Sequence, residues 1–210
     1  PRPSPPLRCG PPPSPSARPT TLYAAQFSAR NSAQCSQSSP SPQAACASAV
    51  DAAFATNGGH DPPNHGQFSS SRYAFLFKPG KYTIDVPVGF YTQVLGLGAS
   101  PEDVVFAGDK GVYCEEGDYD PSVGALDNFW RSTENFANEA MHDWGTGKGM
   151  LWAVSQASPL RRVRVDHDLS LYEYQPPAVD AGYASGGFLS DSIVHGTVWA
   201  GGQQQWLTRS

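Results

Sequence analysis

The sequence predicts an all-β chain, wound as a right-handed parallel β-helix behind a short capping helix and an extended proline-rich arm. Three observations carry the all-β class; the order of the strands looks like the opening turns of such a β-helix, and a two-sheet antiparallel sandwich is the competing topology, since short strands alone do not fix topology. Arg72 to Gly98, RYAFLFKPGKYTIDVPVGFYTQVLGLG, reads as short strands cut by sharp breaks. Its runs are Ala74–Phe77, the alternating Tyr82, Ile84 and Val86, and Tyr91–Leu97, with Pro79-Gly80, Pro87, Gly89, Gly96 and Gly98 as breaks. Period-two alternation bounded by Pro and Gly is the signature of strands. Charged residues make up only 16% of 210 residues, while Gly (21) and Pro (20) are abundant. That balance favours short strands and turns over long amphipathic helices. Finally, only one stretch has good helical spacing.

The elements follow in chain order. Residues 1–19 contain nine prolines. Proline lacks the amide donor and fixes φ, so this segment forms neither a helix nor a central strand; it reads as a polyproline II arm. Residues 20–210 form one domain, long enough for a well-buried core. Thr20–Phe27 reads as a strand and Arg30–Ser41 as a polar loop. The helix is expected over 42–56, with Ser41 as N-cap and Pro42 at the first helical position. Cys46, Ala49, Val50, Ala53 and Phe54 then share one face. A loop follows over 57–71, then the strands. The second half echoes an aromatic followed by alternation at Phe129-Trp130, Trp152, Phe188 and Trp206, read as a buried stack along the axis. The competing reading of these aromatics is a sugar-stacking platform.

Several motifs resemble a known group. RYAFLFKPG, GFYTQVLGLGASPEDV, NFWRSTEN, LWAVSQASPLRRVRV, ASGGFLSDS and GGQQQWLTRS, which span 72–210, look like secreted proteins usually labelled as coagulation factor 5/8 type domain proteins or as adenylyl cyclases. The resemblance implies a pectate-lyase-like fold with the helix as its N-terminal cap, and transfers no catalytic residue. The cyclase label has no support in the residues: no phosphate-cradling Gly-rich loop joins a strand to a helix. The Ser-Pro units of the arm resemble hydroxyproline-rich glycoproteins. That likeness implies O-linked sugars on Pro3, Ser4, Pro5, Pro6, Pro11, Pro12, Pro13, Ser14, Pro15 and Ser16.

The net charge of −5 argues against a nucleic-acid surface, and the basic cluster Arg161, Arg162 and Arg164 reads as a solvated strand edge. No apolar run reaches the ~20 residues of a membrane helix. With neither an initiator Met nor a signal peptide, the chain reads as a processed form or part of something longer. Cys9, Cys35, Cys46 and Cys114 contain no CxxC pair, so no zinc site is expected. Their even number in a Ser/Pro/Gly-rich chain suggests disulfides and an extracellular or cell-surface setting. Three connectivities are possible. Closeness in the chain favours Cys35–Cys46, with Cys9–Cys114 tying the arm down; buried thiols are the competing reading.

Candidate chemistry is sparse. Asp166 and Asp168 flank His167 and, in one strand, would share a face ~6.5–7 Å apart, within the range for paired hydrolase carboxylates. They also read as a charged turn between Val163–Val165 and Leu169–Leu171, and no catalytic residue is assigned. Glu115, Glu116, Asp118 and Asp120 have loop composition without the EF-hand pattern. His60, His65, His142, His167 and His195 lack a common metal spacing. His142-Asp143, and Asp191 with His195, are partial dyads without a nucleophile elbow. Gly-Thr-Gly-Lys-Gly at 145–149 reads as a turn. No metal or cofactor is expected. The resulting expectation is a non-enzymatic structural subunit of an extracellular glycosylated filament, self-associating through the arm and an open β-helix end. The alternatives are a secreted carbohydrate-active lyase or hydrolase, and a glycan-binding adhesion module.

Overall fold

The computed structural model describes residues 32–36, 40–58, 66–115, 124–173 and 182–210. The proline-rich arm, the strand expected at Thr20–Phe27, His60, His65, and Glu116, Asp118 and Asp120 lie outside the described residues.

The architecture is all-β and mainly parallel, with one α-helix. The chain runs β1 (Ser32–Cys35), α1 (Pro40–Asn57), β2 (Tyr73–Phe77), β3 (Gly80–Tyr82), β4 (Val86–Pro87), β5 (Thr92–Gly96), β6 (Val104–Phe106) and β7 (Val112–Tyr113). It continues as β8 (Ser132–Asn138), β9 (Gly149–Leu151), β10 (Pro159–Val165), β11 (Asp168–Ser170), β12 (Ala184–Ser185) and β13 (Phe188–Ser190). The last strands are β14 (Ile193–Val194), β15 (Val198–Trp199), β16 (Gln203–Gln204) and β17 (Leu207–Arg209).

Successive passes of the chain return to the same sheet one strand further on. The main sheet follows the order β1-β2-β5-β8-β10-β13-β17, with β3, β6 and β14 attached. Three smaller sheets are β15-β11-β9, β12-β16 and β4-β7. Every strand pairing among the described residues is parallel. Neighbouring passes therefore lie ~4.8 Å apart.

The sheets enclose a main core, with a smaller cluster of Tyr113, Ala125, Leu151, Ala153, Tyr172 and Ala184 beside it. Phe77, Val94, Phe136 and Leu160 point into the main core from the main sheet, Val86 and Val112 from β4-β7, and Met150 and Leu169 from the third sheet; all are fully buried. Aromatic rings organise one end: Phe106 meets Phe77 edge-on at 4.8 Å and Phe136 at 5.3 Å. Tyr82 stays in this apolar setting because its hydroxyl donates to the carbonyls of Cys35 (3.1 Å) and Lys78 (2.7 Å); burial raises its pKa. Side-chain amides satisfy carbonyls where strands bend: Asn135 Nδ2 donates to Gly96 and Gly98, both at 2.9 Å.

Several expectations change. The helix begins at Pro40 and ends at Asn57, extending the expected 42–56 at both ends, and it buries Cys46, Val50 and Ala53. The segment 30–41 is not all loop. Ser32–Cys35 pairs with Ala74–Phe77 residue by residue: the β2 edge supplies hydrogen-bond partners that the composition of SAQC does not signal. The alternation Tyr82-Ile84-Val86 is two strands, since the chain bends at 83–85. Pro87, read as a break, sits within β4 opposite Tyr113.

Candidate functional site

A groove of about 360 Å³ opens where β5, β8 and β10 begin. The parallel register places Gln93 beside Ser132 and Pro159 beside Phe188, which in turn lies beside Leu207. In β5, β8 and β10 the outward residues alternate with buried Val94, Thr133 and Leu160, and the register continues them through Phe188 and Leu207 as a strip across the strands.

Each strand on this strip is entered through the same unusual backbone turn. Tyr91 (φ 54°), Trp130 (φ 57°), Ala157 (φ 55°), Gly186 (φ 92°) and Gln205 (φ 53°) are all left-handed. Each precedes its strip residue by two positions. For non-glycine residues this conformation costs about 1–2 kcal/mol. A backbone ladder holds it: the Tyr73 amide donates to Tyr91 O (3.1 Å), Tyr91 to Trp130 O (2.6 Å), and Trp130 to Gln156 O (3.2 Å).

The side chains of this column build a wall. The Arg72 guanidinium lies 3.5 Å over the Tyr91 ring, held by its Nη1 donating to Ser69 O and Ser71 O, both at 2.8 Å. Tyr91 donates its hydroxyl to Gln67 O at 2.6 Å. Trp130 stacks on Tyr91 with centroids 5.4 Å apart and planes inclined by 21°, and Phe129 braces Trp130 edge-on at 4.6 Å. Trp130 is nevertheless 43% exposed, so its expected place in a buried stack is corrected. The left-handed turn swings it outward, whereas Trp152, from a different series, is the one fully buried. Behind the wall Arg131 points inward at 4% exposure. Its Nη1 donates to Val88 O at 2.6 Å and lies 3.3 Å from Cys114 Sγ, with the guanidinium 4.6 Å over Phe90.

Asp166 and Asp168 occupy no shared strand face: β10 ends at Val165 and β11 starts at Asp168, with a bend between them. Asp166 pairs with Arg164 through 2.7 and 3.1 Å contacts, and His195 Nδ1 lies 3.6 Å away. Asp168 ties three segments together, accepting from the Thr197 amide (2.8 Å), Trp199 Nε1 (3.1 Å) and the Lys148 amide (3.3 Å). Gly149 (φ 152°) lets the β9 backbone approach, since a Cβ there would sit 2.2 Å from Asp168 O. The Thr197 amide first, then Trp199 and Lys148, lower the Asp168 pKa. A general acid needs the opposite shift. A depressed folded pKa means stabilisation present above the unfolded value and lost as pH falls through the folded one. Asp168→Asn is therefore expected to melt below the wild type at neutral pH, the gap closing in acid below about pH 4, while any glycan hydrolysis is unchanged. Melts across pH, with an activity assay, check both halves.

The remaining candidates separate. Cys35 and Cys46 form a disulfide; Cys114 is buried, and its proposed partner Cys9 lies outside the described residues. His142 pairs with Asp109 at 2.7 Å, not with Asp143. Of the expected turn at 145–149, the chain bends at 145–146, where the Trp144 amide donates to Gly147 O, while Lys148 bridges Asp143 and Gly149 opens β9. Arg161 faces Glu134 at 3.5 Å. Among the described residues no group of acidic, His and Cys side chains is placed to hold a metal ion. Arg72, Tyr91 and Ala157 went unread in the sequence. Their signal is the aligned series FYTQ, FWRS, QASP, SGGF and QQWL, in which Trp130 answers Tyr91 and not Trp152.

No family model matches the sequence. Over 145 residues, 68% of the chain, it is 46% identical to an exo-beta-1,3-glucanase of Streptomyces sp. (strain SirexAA-E / ActE), covering 22% of that protein. That relative is a glucanase. The solved structure of sacteLam55A from Streptomyces sp. SirexAA-E superposes with a TM-score of 0.66 at 38% identity, over 85% of this chain and 28% of that one. A variant of sacteLam55A in complex with glucose gives a TM-score of 0.66 at 40% identity with the same coverage. The chain thus spans about a quarter of the length of the proteins it matches. These likenesses overturn the resemblance to coagulation factor 5/8 type domain or adenylyl cyclase proteins. They equally overturn the filament-subunit and non-enzyme expectations, because the matched relative is an exo-beta-1,3-glucanase. Aromatic and Gly/Pro spacing reports how strands stack, and stacking is common to enzymes and structural proteins.

Proposed function

We propose that this chain is a segment of a secreted hydrolase that acts on β-1,3-glucan. The observation that carries the proposal is 46% identity over 145 residues to an exo-beta-1,3-glucanase. In this reading the parallel strands are rungs of a right-handed β-helix of the pectate-lyase-like kind, with α1 covering its first rungs. The Cys35–Cys46 disulfide suits an oxidising, extracellular setting, and no described helix is long and apolar enough to cross a membrane.

Glycoside hydrolysis needs a pair of carboxyl groups flanking the scissile bond, one of them a proton donor with a raised pKa. Asp166 is paired with Arg164, Asp168 is tied to Thr197, Trp199 and Lys148, and no carboxylate lines the groove, so the proposal gives the groove the work of holding glycan. The test is glucose release by the protein purified from its native source. Glucose is expected from soluble β-1,3-glucan and not from β-1,4-glucan. Absence of any sugar release from β-1,3-glucan overturns the reading.

A further inference from the structure

We propose that the Arg72–Tyr91–Trp130 stack is a non-catalytic docking subsite, on which a glucose ring of a β-1,3-glucan lies as the next layer against Trp130. The choice of glucan rests on the function proposed above; the choice of place rests on four features of the groove.

The stack is rigid before anything binds. Tyr91 is clamped between the Arg72 guanidinium and the Trp130 ring, and its hydroxyl is pinned to Gln67 O. A preorganised wall loses little conformational entropy when a ligand docks.

The stack also stops abruptly. Along the left-handed column the residues run Tyr91, Trp130, Ala157, so two layers of large rings are followed by a methyl group, and the Gln156 side chain packed over Gly186 closes the layer beyond. With passes ~4.8 Å apart, that leaves a slot about one layer deep beside the indole, the thickness of a single sugar ring. An aromatic face carries negative electrostatic potential and attracts the positive edges of C–H groups. The C–H face of an equatorially substituted glucose ring suits it.

The floor of the slot is polar where sugar hydroxyls would reach it. Among the described residues the Gln93 amide and the Ser132 hydroxyl take no protein partner, and both border the groove. Beyond Pro159 the strip becomes apolar at half-buried Phe188 and at Leu207, 65% exposed, so a chain longer than one ring finds surface to follow.

The groove lining contains no carboxylate, and Arg72 is already engaged by Tyr91 and two carbonyls. The site therefore suits a neutral sugar and offers nothing to cleave it.

The test is titration calorimetry of the 210-residue chain with β-1,3-linked glucose oligosaccharides, using β-1,4-linked oligosaccharides as the comparison. Trp130→Ala is expected to weaken β-1,3 binding about tenfold, and Trp130→Phe to retain most of the affinity, as loss of a single stacking contact implies. Ala157→Trp is expected to weaken binding as much by filling the slot while leaving Trp130 in place. All three should melt within the narrow range of surface substitutions. Unchanged affinity in Trp130→Ala and Ala157→Trp, or no binding by the wild type, overturns the subsite. So does equal binding of β-1,4-linked chains, which would remove the substrate class. A change of sedimentation in Trp130→Ala without a change in glycan affinity overturns it in favour of a protein-facing surface. If the native protein releases no glucose yet Trp130-dependent binding persists, the enzyme reading falls and the subsite stands. If glucose is released but the variants bind like wild type, the subsite falls alone.

Discussion

Phe106→Ala is expected to destabilise the protein by about 3–5 kcal/mol, the usual cost of emptying a buried aromatic site. Phe106 is fully buried in β6, between β3 and β8. Its ring touches Phe77 at 4.8 Å, Phe136 at 5.3 Å and Tyr82 at 5.7 Å. Those partners come from β2, β8 and β3, so the cavity would open at the meeting point of three strands. Strand backbones tied by parallel ladders cannot collapse into it, which places the cost in the upper part of the range. For a chain of this size the melting temperature should fall by on the order of 10 °C. Chemical denaturation of Phe106→Ala beside Trp130→Ala measures it, and a loss below about 1 kcal/mol would mean that the aromatic cluster is not shared core.

The contrast between Phe106 and Trp130 shows what the sequence conveys and what it withholds. Ala74–Phe77 and Tyr91–Leu97 are legible because apolar runs bounded by Pro and Gly have few other uses, and the observed β2 and β5 lie within a residue of them. The helix is legible because Cys46, Val50 and Ala53 repeat at helical spacing. Ser32–Cys35 is illegible, since its strand character is conferred by the neighbour it pairs with. The split between β3 and β4 escapes for a related reason: Tyr82, Ile84 and Val86 alternate correctly through a bend that alternation cannot register. The groove was hidden at a subtler level. Whether an aromatic points inward or outward depends on one backbone torsion, and the left-handed turn at Tyr91, Trp130 and Ala157 has no composition signal without Gly or Asn. Asp166 and Asp168 illustrate the converse, because a spacing that suits catalysis in a strand becomes a pair of tethers across a bend.

Replacing Cys35 and Cys46 together by Ser is expected to cost about 2–4 kcal/mol. The bridge closes a loop with a separation of 11 residues, short enough that the entropic gain lies toward the lower part of that range. Both sulfurs are removed from solvent, with Cys35 fully buried and Cys46 at 6% exposure, so two hydroxyls would also enter an apolar setting and add to the loss. The change should remain graded, because α1 has a second anchor. Asn57, at its last turn, is fully buried; its Nδ2 donates to Phe90 O (2.8 Å) and Ser71 O (3.1 Å), and its carbonyl accepts from the Phe90 amide at 2.7 Å. Loss of the bridge should therefore fray β1 and the first turns of α1 while the Asn57 end stays docked. Hydrogen exchange resolves this: protection should drop in 32–35 and 43–50 and persist in β8 and β10, which pair along five residues deep in the main sheet. Uniform loss of protection across β8 and β10 would show instead that the helix and the sheet unfold as one unit, and an unchanged melting temperature would show that the packing of Val50 and Ala53 and the Asn57 anchor hold α1 in place without the bridge.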